Sequence, residues 1–159
     1  MSTKEIRQIK LRIDDLIARI KELDGSFDIE AKADLAKYLC VLISGYFEKC
    51  ICDSICTYGE KCSSQIARCI QIEFKWTTNI KMNKLLEVIE EFSVDWKNKF
   101  TTNPNYDDYK DSLDFIVNNR NNISHGLGST ITLAELEYHY SILENIIVEI
   151  KKLFLVYVA

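Results

Sequence analysis

The chain has 159 residues, 47% of them apolar and 28% charged, with a formal net charge of −4. This is the make-up of an ordinary soluble globular protein long enough to bury a core, here taken as one domain over residues 1–159. No stretch approaches the ~18 apolar residues of a bilayer span, and the acidic balance argues against a module that holds RNA by general attraction to its phosphates.

Only 5 glycines and 1 proline punctuate the chain, which favours long uninterrupted helices. The start, MSTKEIRQIK, is charged and amphipathic rather than a signal peptide, so the expected location is cytoplasmic. Ser2-x-x-Glu5 has the form of a capping box. Behind it Ile6, Ile9, Ile13, Leu16, Ile17, Ile20 and Leu23 recur every three or four residues, predicting an amphipathic helix that Asp24-Gly25-Ser26 stops. A second helix is predicted from about Asp28. Its middle, YLCVLISGYF, is apolar nearly all round and should be the most buried element, with Gly45 either marking close approach of a neighbour or simply tolerated mid-helix. Thr57-Tyr58-Gly59 is expected to break it. A third helix over about 60–75 carries Ile66, Ile70 and Phe74 with Cys62 and Cys69 on a related face. Met82, Leu85, Leu86, Val88 and Ile89 predict a shorter helix, and Phe92, Val94, Trp96 and Phe100 a looser amphipathic piece. Thr101-Thr102-Asn103-Pro104-Asn105 is the clearest loop.

After Pro104, Tyr109, Leu113, Ile116 and Val117 make one face of a helix expected to end near Asn118-Asn119-Arg120. Thr132-x-x-Glu135 is a second capping box and opens the last helix, whose buried stripe is Leu133, Leu136, Tyr140, Leu143, Ile146, Ile147, Ile150, Leu153 and Phe154. No strand signal, internal repeat or low-complexity linker stands out. The expected fold is all-α, an antiparallel bundle of about five helices.

Six cysteines, at 40, 50, 52, 56, 62 and 69, cluster in one region. In a cytosolic chain they should be thiols. Paired zinc ligands usually lie two to four residues apart on a turn, whereas these mostly lie inside a helical pattern. Buried thiols packing as small hydrophobes are therefore expected, and no metal or cofactor.

One place gathers a cation, an imidazole and several amides: Arg120-Asn121-Asn122-Ile123-Ser124-His125-Gly126. Imidazole has the side-chain pKa nearest neutrality and can take and give a proton. A guanidinium can grip a phosphate through two parallel hydrogen bonds and stabilise charge developing on it. Helix neighbours are three or four residues apart, so an unbroken helix would turn Arg120 and His125 away from each other. A break after Asn121 or Asn122 would let His125 swing back. In either case one protomer offers one Arg and one His, while in-line attack on a phosphodiester wants both a base and an acid. A two-fold dimer would supply two of each. The plain alternative is that both side chains satisfy helix-end carbonyls, where cations are favourable.

The form Arg-Asn-x-x-x-His-Gly at the end of the penultimate helix, with AKYLCVLISGYFE, FSVDWKNKF and VNNRNNISHGLGSTITLAELEYHY, resembles the HEPN superfamily. Within it the chain is similar to the RiboL-PSP-type branch over nearly its whole length. The resemblance implies a metal-independent endoribonuclease, a homodimer with a composite site, serving as a toxin or antiviral effector. Carried over, Arg120 binds and polarises the scissile phosphate, His125 is general acid or base toward the ribose 2′-hydroxyl, and Asn121 orients one of them. A 2′,3′-cyclic phosphate end is the expected product. Ser124 stands where alanine is common in this motif. Leu127 stands where some members carry a tyrosine that a nucleotidyltransferase antitoxin modifies, so that regulation is not expected. The alternative is a non-catalytic helical module holding RNA, a nucleotide or a protein, and a regulatory or antitoxin partner fits either role.

The other histidine, His139, lies at the polar–apolar boundary of the last helix and reads as structural. Tyr38, Tyr46, Phe47, Trp76 and Trp96 could stack bases but sit at core spacing. Glu87, Glu90, Glu91 and Asp107, Asp108, Asp111 read as solvated faces.

Overall fold

The computed structural model describes residues 3–23, 29–74, 78–128 and 130–156. Seven helices occur among them: α1 Thr3–Glu22, α2 Ile29–Cys62, α3 Ser64–Phe74, α4 Met82–Phe92, α5 Val94–Thr101, α6 Tyr106–Ser124 and α7 Leu133–Val156. No strand is present among the described residues, as the composition led us to expect. The count exceeds five because the middle of the chain is divided into short helices. Ser93 takes extended backbone (φ −167°, ψ 125°) between α4 and α5, and its hydroxyl accepts the Trp96 N–H at 3.3 Å, starting α5 afresh.

The apolar stripes read from the sequence become one core. It takes Ile13, Leu16 and Ile20 from α1, and Leu39, Ile43, Phe47, Ile51 and Ile55 from α2. Met82, Leu85 and Ile89 of α4 join it, with Leu113, Ile116 and Val117 of α6 and Leu136, Leu143, Ile146, Ile150 and Phe154 of α7. Each such side chain contributes roughly 1.5–3 kcal/mol by leaving water. Directions follow from the pairs that meet. Lys10 bonds Glu144 while Lys21 pairs with Glu137 at 2.5 Å, so α1 runs antiparallel to α7. Tyr46 lies against Tyr140 (centroids 6.1 Å) and Tyr58 against Phe154 (5.7 Å), so α2 and α7 run in the same direction. Lys10 sits among these three helices, 5.4 Å from the Tyr140 ring centroid and 5.8 Å from that of Tyr46.

The second helix does not break at Thr57-Tyr58-Gly59 but runs on to Cys62. Tyr58 is held by edge contacts to Phe92, Trp96 and Phe154, all with centroids 5.7 Å away, which keeps this turn in register. The glycine of close approach is Gly59, not Gly45. A Cβ at Gly59 would fall 2.7 Å from Ile70 Cδ1 and 3.1 Å from the Ala67 Cα, whereas one at Gly45 would meet nothing within 4 Å. Gly59 therefore lets α3 fold back onto the end of α2. Ser63 makes the joint: its N–H bonds the Gly59 carbonyl at 2.9 Å and its hydroxyl accepts the Ile66 N–H at 3.1 Å. The inner face of α3 is Ala67 and half-buried Ile70, while Ile66, Cys62 and Cys69 are exposed, contrary to the face expected for this helix. The Phe74 side chain, Trp76, Ser2 and the stop Asp24-Gly25-Ser26 lie outside the described residues.

Candidate functional site

The site is built on α6. Its inner face, Tyr109, Leu113, Ile116 and Val117, is fully packed and fixes the helix axis. The asparagines that suggested a stop at residue 120 do not stop it. Asn119 Nδ2 donates back to the Phe115 carbonyl at 3.0 Å and Ser124 Oγ to the Arg120 carbonyl at 2.8 Å, so polar side chains stay within the helix by bonding their own preceding turn. The end comes at His125, the C-cap (φ −91°, ψ 6°), whose N–H reaches the Asn121 carbonyl at 3.0 Å. Gly126 follows with φ +69°, the left-handed conformation that glycine adopts without strain. The Gly126 N–H bonds the Ile123 carbonyl at 3.2 Å and the Leu127 N–H the Asn122 carbonyl at 2.9 Å. These two bonds make a Schellman motif, and they explain why His and Gly stand together: the glycine closes the helix on the residue that carries the imidazole.

Because α6 persists to Ser124, Arg120 and His125 are separated by about 140° around the axis, at 100° per residue. His125 is exposed and Arg120 half-buried, and among the described residues no hydrogen bond or ion pair joins them. Arg120 Nη1 donates to Asn121 Oδ1 at 3.3 Å, so the amide expected to orient the site does touch the guanidinium. Of the three predicted residues, Arg120 and Asn121 are bonded to each other, and His125 stands exposed without a bond to either side chain among the described residues.

Glu48 was not anticipated. It is a half-buried carboxylate on α2, and its Oε1 accepts the Asn79 N–H at 2.6 Å. Burial pushes its carboxyl above the usual range, while the Asn79 N–H, the Arg120 guanidinium and the Ile80 N–H draw it partly back. Asn79 holds positive φ (57°), which asparagine tolerates. Two residues beyond Ile80, Asp114 Oδ1 of α6 accepts the Met82 N–H at 2.9 Å and so caps α4, whose own cap residue Lys81 supplies no side-chain bond. Two carboxylates from α2 and α6 thus fasten residues 79–82 beside the helix that carries Arg120. Local patterning could not have shown this, since Glu48 and Arg120 are far apart in the chain.

The remaining candidates fall into structural places. His139 Nδ1 lies 2.9 Å from Ser112 Oγ, and its ring stacks on Phe115 with centroids 4.0 Å apart. Burial lowers its pKa, with Glu135 and Asp111 opposing. Tyr46 and Phe47 are buried, half-buried Trp96 belongs to the aromatic group around Tyr58, and Tyr38 is exposed with the Arg12 guanidinium 5.5 Å from its centroid. Both acidic runs are exposed. The Thr132 capping box forms as read: Glu135 Oε2 accepts from the Thr132 N–H (2.9 Å) and hydroxyl (2.7 Å), and the Glu135 N–H reaches Thr132 Oγ1 at 3.3 Å. Cys40, Cys50 and Cys56 are buried as expected, whereas Cys62 and Cys69 are exposed. Among the described residues, no group of three or more His, Cys, Asp or Glu side chains is placed to hold a metal ion, and no helix is long and apolar enough to cross a membrane.

An all-helical bundle whose penultimate helix ends on Arg-Asn-x-x-x-His-Gly defines a class of helical module tied to nuclease and RNA-related function. The family model for RiboL-PSP-HEPN matches residues 4–155, and the chain belongs to that family. No curated protein and no solved structure matches the chain.

Proposed function

We propose that this protein is an endoribonuclease working as a homodimer, with a composite site formed by Arg120 and His125 of both protomers. The observation that carries this reading is the exposed His125 at the closed end of α6, unbonded to Arg120 among the described residues and open to a second copy. One imidazole takes the proton of a ribose 2′-hydroxyl as that oxygen attacks phosphorus, and the other gives a proton to the departing 5′-oxygen. The guanidiniums hold the phosphate and stabilise the charge that grows on its oxygens. The products are a 2′,3′-cyclic phosphate and a 5′-hydroxyl, and the scheme calls for no metal ion. Asn121 and Glu48 act through Arg120, the first by its hydrogen bond and the second by facing it with a fixed negative charge. The role is that of a toxin or antiviral effector in the cytoplasm. A net charge of −4 offers RNA little general attraction, which leaves room for a regulatory partner in finding substrate.

The test is cleavage of total cellular RNA in EDTA by the wild type, His125→Ala and Arg120→Ala. Fragments with cyclic phosphate ends from the wild type alone are expected, each variant losing roughly 10²–10⁴-fold in rate. Equal cleavage by all three would overturn the site. RNA retained by the wild type without being cut would indicate the non-catalytic module instead, and a strict monomer in light scattering would remove the composite site.

A further inference from the structure

Six free thiols are described, and their surroundings differ. Cys40 and Cys50 are buried in the core, where burial pushes them up to about 12 and about 11. Cys62 and Cys69 lie exposed around the α2–α3 joint. Cys52 and Cys56 stand one turn apart on α2 with their sulfurs 3.9 Å from each other, Cys52 half-buried and Cys56 buried. This is the only thiol–thiol contact among the described residues.

From this arrangement we infer that Cys52 and Cys56 form a site of oxidation by hydroperoxides, with Cys52 reacting first and Cys56 resolving it. The thiolate is the reactive form, so the thiol that ionises first is the one attacked. Either sulfur could donate in the contact, but the charge belongs on Cys52, which is nearer to solvent and keeps water around it. The Cys56 S–H then points at that sulfur and lowers the Cys52 pKa to about 7 against the opposing effect of burial, while Cys56 itself is raised. Asp53 adds a smaller push against this, and Lys49 one smaller still in its favour. A low-pKa, partly accessible thiol beside a second thiol is the arrangement that peroxide oxidises selectively.

In the first step the Cys52 thiolate attacks the peroxide oxygen. The O–O bond breaks, hydroxide leaves, and sulfur becomes a sulfenic acid, giving up two electrons to the peroxide. In the second step the Cys56 sulfur attacks the sulfenic sulfur and water departs, leaving a disulfide. The first step needs no movement of the chain. The second does, because Cβ atoms at this helical spacing are ~5–6 Å apart, while a disulfide holds them at ≈3.5–4.5 Å. The turn 52–56 must tighten or unwind, so the sulfenic acid should be long-lived enough to trap.

The experiment treats the full chain with less than one equivalent of hydrogen peroxide, traps sulfenic acid with dimedone and follows it by mass spectrometry of tryptic peptides. The peptide between Lys49 and Lys61 carries Cys50, Cys52 and Cys56, and fragmentation separates them. In the wild type the dimedone adduct should appear first on Cys52, several-fold ahead of Cys62 and Cys69, with later loss of two hydrogens from the same peptide. In Cys56→Ser the adduct on Cys52 should persist and the two-hydrogen loss should vanish. Exposure alone predicts the reverse order, with Cys62 and Cys69 leading. That order in the wild type would overturn the proposal, and no variant is needed to see it.

Discussion

The two histidines occupy opposite kinds of ground, and their contrast shows what separates a side chain that holds a fold from one that is free to act. His139 lies in the α6–α7 interface, with one ring nitrogen at Ser112 and one face on Phe115. His125 caps the same α6, and among the described residues its position comes from main-chain bonds around Gly126 rather than from a bond to its ring. His139, bonded at one nitrogen and stacked on one face, is held as part of the fold. His125 has no ring partner among the described residues, and both of its nitrogens are open to a substrate from that side.

The contrast can be broken most forcefully by exchanging the losses. His125→Ala should remove RNA cleavage by roughly 10²–10⁴-fold while leaving the unfolding midpoint nearly unchanged. His139→Ala should do the reverse, retaining cleavage and costing about 1–3 kcal/mol through the buried Ser112 hydroxyl and the lost stacking. The pH dependence sharpens this. The fold favours neutral His139, so its contribution is fully present above the ordinary value of 6.5 and is lost as pH falls through the lowered folded value. Urea unfolding across that range should show an acid limb in the wild type that is shallower in His139→Ala. Cleavage lost in His139→Ala with stability intact would invert the assignment.

A smaller effect tests Glu48. Glu48→Gln keeps an oxygen for the Asn79 N–H but removes the charge facing Arg120. A roughly tenfold fall in kcat with unchanged unfolding is expected if the charge sets the guanidinium, on the order of 1.4 kcal/mol in the barrier. A variant that unfolds earlier but cleaves normally would mean Glu48 serves only residues 79–80. Comparable in size, Gly126→Ala should cost about 1–2 kcal/mol of stability, because a Cβ there finds open space but the left-handed backbone disfavours it. Circular dichroism melting would register the loss, and an unchanged melt would show that the Schellman end is not what places His125.

What could be read from the chain before its structure divides along the same line as the histidines. The stripes of α1 and α7 and the Thr132 box are local patterns, and each appears where its spacing put it. The Arg-Asn-x-x-x-His-Gly motif was equally local. Where α6 ends was not, since Asn119 and Ser124 can either leave a helix or bond back into it, and only the packed axis decides. Gly45 and Gly59 look alike in sequence, and it is the folding back of α3 that distinguishes them. Glu48 escaped notice because its meaning depends on Asn79 and Arg120, brought to it by the bundle rather than by spacing.

The joint at Gly59 has a thermodynamic consequence. Among its described side chains, the helix beyond it turns only Ala67 and Ile70 inward, with Ile66 and Ile72 facing water. The long helix before it is buried along most of its middle, from Leu39 and Cys40 through Ile43, Phe47 and Ile51 to Ile55. The expected consequence is graded stability along one continuous stretch of chain: amide hydrogen exchange should find residues 64–74 opening locally more often than the bundle unfolds. Such an opening leaves α6 and its closed end undisturbed, so fluctuation at one edge of the molecule need not reach the edge where Arg120 and His125 stand.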